Sequence, residues 1–490
     1  LVEEEWRYGN QRYTQIDWDG LYHTNSVQSD GHAVYLVENK RTNAFNSSAN
    51  VGFTTLFRGV VFYYGLRLDA LSTRHFKIAE DLLGADYLLD VDYFIRDDDT
   101  YGTKYRNNLR NTNLHVAEGG RYGYDYRLTK IATMAYGVAR WTMWGMDFEL
   151  GANVSTAMMR RRGYFEKELF AGGRSLGASR SITLFPVSIF ASWHHTIGYH
   201  DLDARLMFSG SSPDTRRLYL QADYNNRQID NPHLSKKLSG EFTYHLSLVR
   251  LSLRASAYVS YSYDDVDVLH YYDDVAGEYV DAVVNDISRL SYGLEVNAEI
   301  RWSQYFSSEA AINIGRNRYA KDAVVRTYAD NDNDLIAVSR SSMRGVNSSL
   351  PELAAYADIA FRRAGWNAQL SCSYVGLRHV TPSFVRRTER IYTYAQSPEE
   401  QMALLSQQSL GGAVSLNLSV ARSFRFSGGR WLSVRLTADN LLGANNIGSG
   451  YEQNRIRKVV ISQREHVRPF ANKVTLGYGR TCRINVSFGF

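Results

Sequence analysis

The last ten residues of the chain alternate without a fault. Cys482, Ile484, Val486, Phe488 and Phe490 are apolar, while Thr481, Arg483, Asn485, Ser487 and Gly489 stand between them. A period of two is that of an extended strand with one apolar and one polar face. The same pattern recurs upstream. Leu432, Val434, Leu436 and Ala438 face Ser433, Arg435, Thr437 and Asp439, and Val414, Leu416, Leu418 and Val420 interleave with Ser415, Asn417 and Ser419. Tyr292, Leu294, Val296, Ala298 and Ile300 alternate with Gly293, Glu295, Asn297, Glu299 and Arg301. Comparable segments occupy 242–248, 251–263, 146–154 and 366–374. Counting them predicts about 16 strands from Phe45 onward, each of the ~9–11 residues that a tilted membrane-crossing strand needs.

Alternation alone fits a soluble sandwich as well as a membrane barrel, so the connections have to discriminate. Tight turns are expected at Arg58 and Gly59, Trp144 and Gly145, Gly198, Val249, Ser303 and Gln304, Ala364 and Gly365, Ser427 to Gly429, and Gly479 and Arg480. Long polar stretches fall between them, at 72–122, 161–182, 210–236, 264–287, 320–350, 379–410 and 441–469. Short and long connections take turns, as periplasmic turns and extracellular loops do in outer-membrane barrels. The expected fold is all-β: a transmembrane antiparallel up-and-down β-barrel over 45–490, with 1–44 an extracellular loop or strand-connecting segment. Trp141, Trp144, Trp302, Trp366 and Trp431 all lie beside inferred short turns, where an amphipathic indole settles at headgroup level as a membrane girdle. A final strand ending in Phe488 and Phe490 resembles the signal by which outer-membrane barrels are recognised for assembly.

Composition agrees with this picture. Across 490 residues there are 35 Tyr and 37 Gly but only 7 Pro and 2 Cys. Mean hydropathy is −0.36, and no apolar run reaches the ~18 residues of a membrane helix. Abundant aromatic and β-branched residues exclude disorder, and two cysteines exclude a disulfide scaffold. A net charge of +5 is too small on a chain this long to imply nucleic acid as a partner. The chain begins at Leu1 without Met or a signal-like segment, so it reads as processed or incomplete.

Several motifs invite chemistry. Gly173-Arg174-Ser175-Leu176-Gly177 matches a nucleophile elbow, but the strand–turn–helix that motif requires is missing from a Gly- and Arg-rich loop. His194 and His195 are neighbours in a strand, so their side chains point to opposite faces and cannot share a metal. Asp330 to Asp334 has the oxygen spacing of a calcium loop without its Gly or distal Glu, and reads as a solvated acidic loop. Asp264, Asp265, Asp267, Asp273 and Asp274 read likewise, with repulsion of anions or capture of a cation as the alternative. Arg160, Arg161 and Arg162 follow a strand at the expected extracellular rim, and either pair with lipopolysaccharide phosphates or form a solvated charge run. Cys372 and Cys482 fall at outward parity as lone thiols. No catalytic constellation, metal site or cofactor site is expected, and the chain does not read as an enzyme.

A group of segments resembles the TonB-dependent receptors of the outer membrane. They are 17–22 (Asp17, Trp18, Asp19, Gly20, Leu21, Tyr22), 81–87 (from Asp81 to Tyr87 through Leu82, Leu83 and Gly84), 108–111, 292–296, 440–442, 450–455 and 470–473. Together they span nearly the whole chain in family order. That resemblance implies a barrel of about 22 strands around an N-terminal plug, coupled through the plug to the TonB machinery. No plug-like region or TonB box is seen here, so the expectation is the C-terminal barrel portion of a longer receptor; a closed 16-strand porin is the competing reading. The function implied is active import of an unidentified solute across the outer membrane of a Gram-negative bacterium. A non-transporting structural subunit of a larger outer-membrane complex and a passive porin are the alternatives. Expected partners are outer-membrane lipids and lipopolysaccharide, the barrel assembly machinery, and a surface lipoprotein or larger complex.

Overall fold

Nearly every alternating segment becomes a paired strand. The computed structural model describes residues 5, 8–92, 105–461 and 464–490. Within them, fifteen long strands follow one another: β1 Val37–Phe57, β2 Val60–Asp81, β3 Arg121–Met143, β4 Met146–Gly163, β5 Val187–Ile197, β6 His200–Ser211, β7 Ser235–Ser247, β8 Leu251–Asp273, β9 Glu278–Arg301, β10 Phe306–Tyr319, β11 Leu353–Arg363, β12 Trp366–Gly376, β13 Ala413–Arg425, β14 Trp431–Asp439 and β15 Thr481–Gly489. Each pairs antiparallel with its sequence neighbours, which is the up-and-down order. Among the described residues β1 pairs with β2 alone and β15 with β14 alone.

Cross-strand partners share a face, so polarity propagates around the sheet. Cys482, Ile484 and Val486 oppose Ala438, Leu436 and Val434, and these continue into Leu418, Val420 and Arg422. The apolar face is exposed on the outside of the sheet, as lipid contact demands, and the Ser, Asn, Glu and Arg positions line the inside.

Seven of the eight anticipated tight turns join consecutive strands. The eighth is different. Residues 470–478 do not form a barrel strand: Lys473–Leu476 pairs with Ile447–Tyr451 in a separate two-stranded sheet, and β15 pairs directly with β14. That segment accounts for fifteen long strands where about 16 were counted.

A second difference concerns 264–287, expected to be a loop. β8 and β9 run straight through it to a turn at 274–277, with register shifts near Asp265. β2 likewise continues to Asp81. The hairpin of Ala323–Ala329 and Leu335–Ser341 adds to the upper half of β9. Of the stretch 72–122, residues 93–104 lie outside the described residues.

Two tyrosines of the inner wall each lie over a pair of glycines. Gly52 and Gly65 are cross-strand partners, and the Tyr136 hydroxyl lies 2.8 and 2.7 Å from where their Cβ atoms would be. Tyr258 covers the paired Gly293 and Gly315 in the same way, at 2.8 Å from each. In both, the hydroxyl end of a tyrosine fills the space above two bare backbones, replacing the packing that glycine lacks.

The buried apolar core sits in the loops rather than between sheet layers. Leu218, Tyr219 and Leu220, from the connection of β6 to β7, pack with Tyr126, Met159, Val266 and Val283. A further cluster joins Ala33, Ala79, Leu82, Leu88 and Val116. Asn25, at the end of the helix Trp18–Ser26, fastens it by donating to the carbonyls of Leu82 and Tyr35 and accepting from the amides of Val34 and Tyr35.

Candidate functional site: the polar inner wall and the loops above it

The inner wall is hydrogen-bonded from strand to strand. His194 of β5 meets Asp203 of β6 at 2.8 Å, and Thr196 donates to Asp201 at 2.7 Å. Thr243 and Ser256 share a hydrogen bond of 2.7 Å between β7 and β8. Further round, Asn297 donates to Glu309 at 2.7 Å, and Gln369 and Tyr356 both donate to Asp358, at 2.6 and 2.7 Å. Two hollows lie against this wall. One of about 610 Å³ is lined by His194, Asp203, Glu241, His245 and Arg254. The other, of about 630 Å³, is lined by Arg254, Glu295, Asn313 and Tyr356. Mixed charge and amide groups facing an open interior suit a hydrated solute held by many weak polar contacts.

The loops above are fastened by buried charges. Glu452 and Arg387 are both almost fully buried and pair, with Arg387 Nη2 donating to Glu452 Oε1 at 2.9 Å. The amide of Ser383 donates to Glu452 Oε2 at 2.8 Å, and Arg386 donates to the carbonyls of Ala403 and Leu404. On the other side of the mouth, buried Lys167 donates to Asn107 at 2.7 Å and stands 4.0 Å from the Tyr224 ring centroid. Its burial pulls the ammonium down to about 8. Asp330 is pushed up to about 7, first by burial and then by the nearby charges of Asp281 and Asp92.

The acidic run is not a solvated loop. Asp264 pairs with Lys236, Asp267 with Arg217, Asp273 with Arg390 and Asp274 with Arg455, while Asp265 accepts from Ser235 and faces Arg289. Each carboxylate ties the β8–β9 hairpin to another element. The Asp330 to Asp334 run forms the turn of the short hairpin. Asp330 accepts from Gln221 at 2.7 Å, and Asp332 accepts from the amide of Asp334. Among the described residues no group of three or more His, Cys, Asp or Glu is arranged to hold a metal.

Ser175 is fully buried, donating to the carbonyl of Phe170 and accepting from the amide of Lys167, so its hydroxyl is a loop fastener. His194 and His195 face opposite sides; His195 sits 3.1 Å from the carbonyl of Gly145. Cys372 and Cys482 are exposed on the outer face.

All five tryptophans stand at the short-turn end. Trp141 and Trp366 share the apolar face with Phe148 and Arg363. Trp302 reaches Ser308 on that face at 2.8 Å, and Trp144 tips its turn with φ 53°. Trp431 has the parity of the polar face, opposite Arg425 and Gly489. Phe488 opposes Leu432 on the apolar face, and Phe490 is 97% exposed.

Arg160, Arg161 and Arg162 form one run in the sequence. The strand splits it: Arg160 and Arg162 are exposed outside, whereas Arg161 is buried inside, donating to Ala222, Ser175 and Asn226. The period of two was the signal that distinguishes them. Nothing comparable marks Arg387 or Lys167, whose partners come from distant loops.

A scan against protein-family models gives no match, and a search of curated proteins gives none either. Solved structures do match. The copper transporter OprC is similar with a TM-score of 0.55 and 13% identity, over 92% of this chain and 57% of its own. The siderophore receptor PiuA from Acinetobacter baumannii follows with a TM-score of 0.52 and 8% identity, over 92% and 56%. The ferric yersiniabactin uptake receptor FyuA from Yersinia pestis gives 0.50 and 13%, over 92% and 55%. The fold is that of the TonB-dependent receptor barrel. This chain spans just over half the length of those receptors.

Proposed function

We propose that the chain forms barrel wall and extracellular mouth of an outer-membrane transporter of Gram-negative bacteria, importing a solute by TonB-coupled transport. The observation that carries this reading is the division of one sheet into an apolar outside and a hydrogen-bonded polar inside, beneath a deep layer of loops. The three similar structures named above are described as a copper transporter, a siderophore receptor and a ferric yersiniabactin uptake receptor, which supports this reading. In this reading the free edges of β1 and β15 meet further barrel strands, because unpaired backbone in lipid is strongly unfavourable. Trp141, Trp302 and Trp366 on the apolar face, with Trp144 at its turn tip, serve as girdle, and the terminal Phe488 and Phe490 as assembly signal. Trp431, expected in the girdle, has the inward parity and is left out of it. Binding comes from the inner wall and loops, and no chemistry is performed on the solute.

The test is solute accumulation in cells producing the full-length protein, with and without a protonophore. Energised import requires accumulation that collapses when the proton gradient is removed. Entry that persists unchanged would leave a passive pore, and wild-type growth of a deletion strain on every limiting metal or carbon source would favour the structural subunit. One observation speaks for that second reading: the loop layer is stapled by the buried Arg387–Glu452 pair, which suits a fixed surface.

A further inference from the structure

The outer face of β2, β3 and β4 can be followed rung by rung, since their registers are continuous. The first rung above the short turns is Val60, Trp141 and Phe148, and the sixth is Ala70, Ile131 and Met158. Successive rungs are two residues apart, or about 6.6 Å along a strand and about 5 Å along the normal at a tilt of ~40°. Six such rungs therefore cover ~25 Å, the height of the apolar band of an outer-membrane barrel. The seventh rung is Ser72, Thr129 and Arg160, and the eighth is Arg74, Arg127 and Arg162. Three arginines stand side by side on adjacent strands, with a fourth one rung below, just where hydrocarbon gives way to headgroups.

This row is short of negative charge. Asp125 accepts from both Arg74 and Arg121 at 2.8 Å, and Arg74 also lies 4.5 Å from the Tyr164 ring centroid. Among the described residues no carboxylate pairs with Arg127, Arg160 or Arg162, all three exposed. Like charges directly opposite one another across a strand pair repel, and an anion placed among them removes that repulsion. A guanidinium is the side chain best matched to phosphate, which it grips through two parallel N–H donors. Thr129 and Ser72 add hydroxyl donors one rung lower.

We propose that Arg127, Arg160 and Arg162, with Thr129 and Ser72 beneath them, bind the phosphate of a lipid headgroup in the outer leaflet. Free phosphate offers the same group, but the site lies at the top of the apolar band, where a lipid presents phosphate with its acyl chains directed down the sheet. This rests on the outward face meeting lipid; it does not depend on what the barrel transports.

The experiment uses the full-length protein in detergent, equilibrated with vesicles of phosphatidylethanolamine containing lipopolysaccharide, and reads retained lipid by mass spectrometry. The combined variant Arg127→Gln, Arg160→Gln and Arg162→Gln should lose retention by at least about tenfold. Lipopolysaccharide treated with phosphatase should be lost from the native protein to the same extent. The control pair Arg58→Gln and Arg430→Gln, at short turns on the far side, should retain lipid normally. Asp125→Asn releases Arg74 and Arg121 and should raise retention. It keeps the proposal testable if the triple variant fails to give the heat-modifiable band of a folded barrel. Equal retention by the triple variant, or by Asp125→Asn and native protein, overturns the site. Displacement of the lipid by millimolar inorganic phosphate overturns the headgroup as its ligand.

Discussion

β4 and the upper half of β9 are both regular strands of one sheet, yet they follow different rules. Along β4 the outward residues Leu150, Val154 and Met158 are exposed, while the inward Gly151, Ala157 and Met159 are covered. In β9 every residue from Val280 to Asn285 is buried, regardless of parity. The environment explains the difference. In the membrane band one face meets hydrocarbon and the other a wet interior, so polarity must alternate. Above the band both faces are covered by loops: Val283 packs against the Leu218 cluster, and Val284 against Met343 and Phe384 on the other side. A strand with protein on both sides can be apolar at consecutive positions. At the tip of the same hairpin, Asp273 at the end of β8 and Asp274 in the turn are matched by cations far away in sequence, Arg390 and Arg455.

The sharpest way to break this comparison is to strip the upper layer of its charge matching. Glu452→Gln leaves Arg387 and Arg386 buried without a counter-charge and should cost about 3–5 kcal/mol. Loops 377–412 and 440–480 should become trypsin-sensitive while the heat-modifiable barrel band persists. In the band, parity should decide everything. Val154→Arg places a charge against hydrocarbon near mid-height and should destabilise the barrel by about 2–4 kcal/mol. Its neighbour Asn153→Arg faces the interior and should stay within about 0.5 kcal/mol. Urea unfolding in lipid vesicles reads both.

Parity should cease to matter in β9. Val283→Asn and Val284→Asn each bury an unsatisfied amide and should cost similar amounts, about 1–3 kcal/mol. A large difference between them would mean that one face of the upper strand is open. The smallest expected effect is on pH. The Asp330 carboxyl stands at about 7, above its ordinary 3.8, so the folded loops hold a proton that the unfolded chain gives up. Stability from this group is complete below the unfolded value and lost as pH rises towards and through about 7. Protection factors in 320–341, which correct for the intrinsic rise of exchange with pH, should be lower at pH 8 than at pH 6, and Asp330→Asn should shrink that difference. Asp281 and Asp92 hold this carboxyl up while His270 and Lys167 pull it down, so Asp281→Asn should weaken the effect.

The strands of the band were legible because lipid and water impose opposite demands on successive residues. β14 and β15 match their alternation residue for residue. The tight turns were legible too, since φ above zero at Gly59, Gly145, Gly198 and Gly365 favours a residue without a Cβ. The stretch 264–287 was misplaced because its alternation fades where loops cover both faces. Residues 470–478 alternate well enough to pass for a barrel strand, yet they pair within a loop. Arg387, Glu452 and Lys167 carried no local signal, as their partners are set by loop packing.

What the sequence determined by itself was a two-faced sheet of consecutive strands with connections sorted by length, because a period of two needs no knowledge of distant residues. The tertiary structure decided which charges are buried and paired, and that three arginines from separate strands stand in one row. Those outcomes depend on register and on the meeting of remote loops, and neither is written in any one segment.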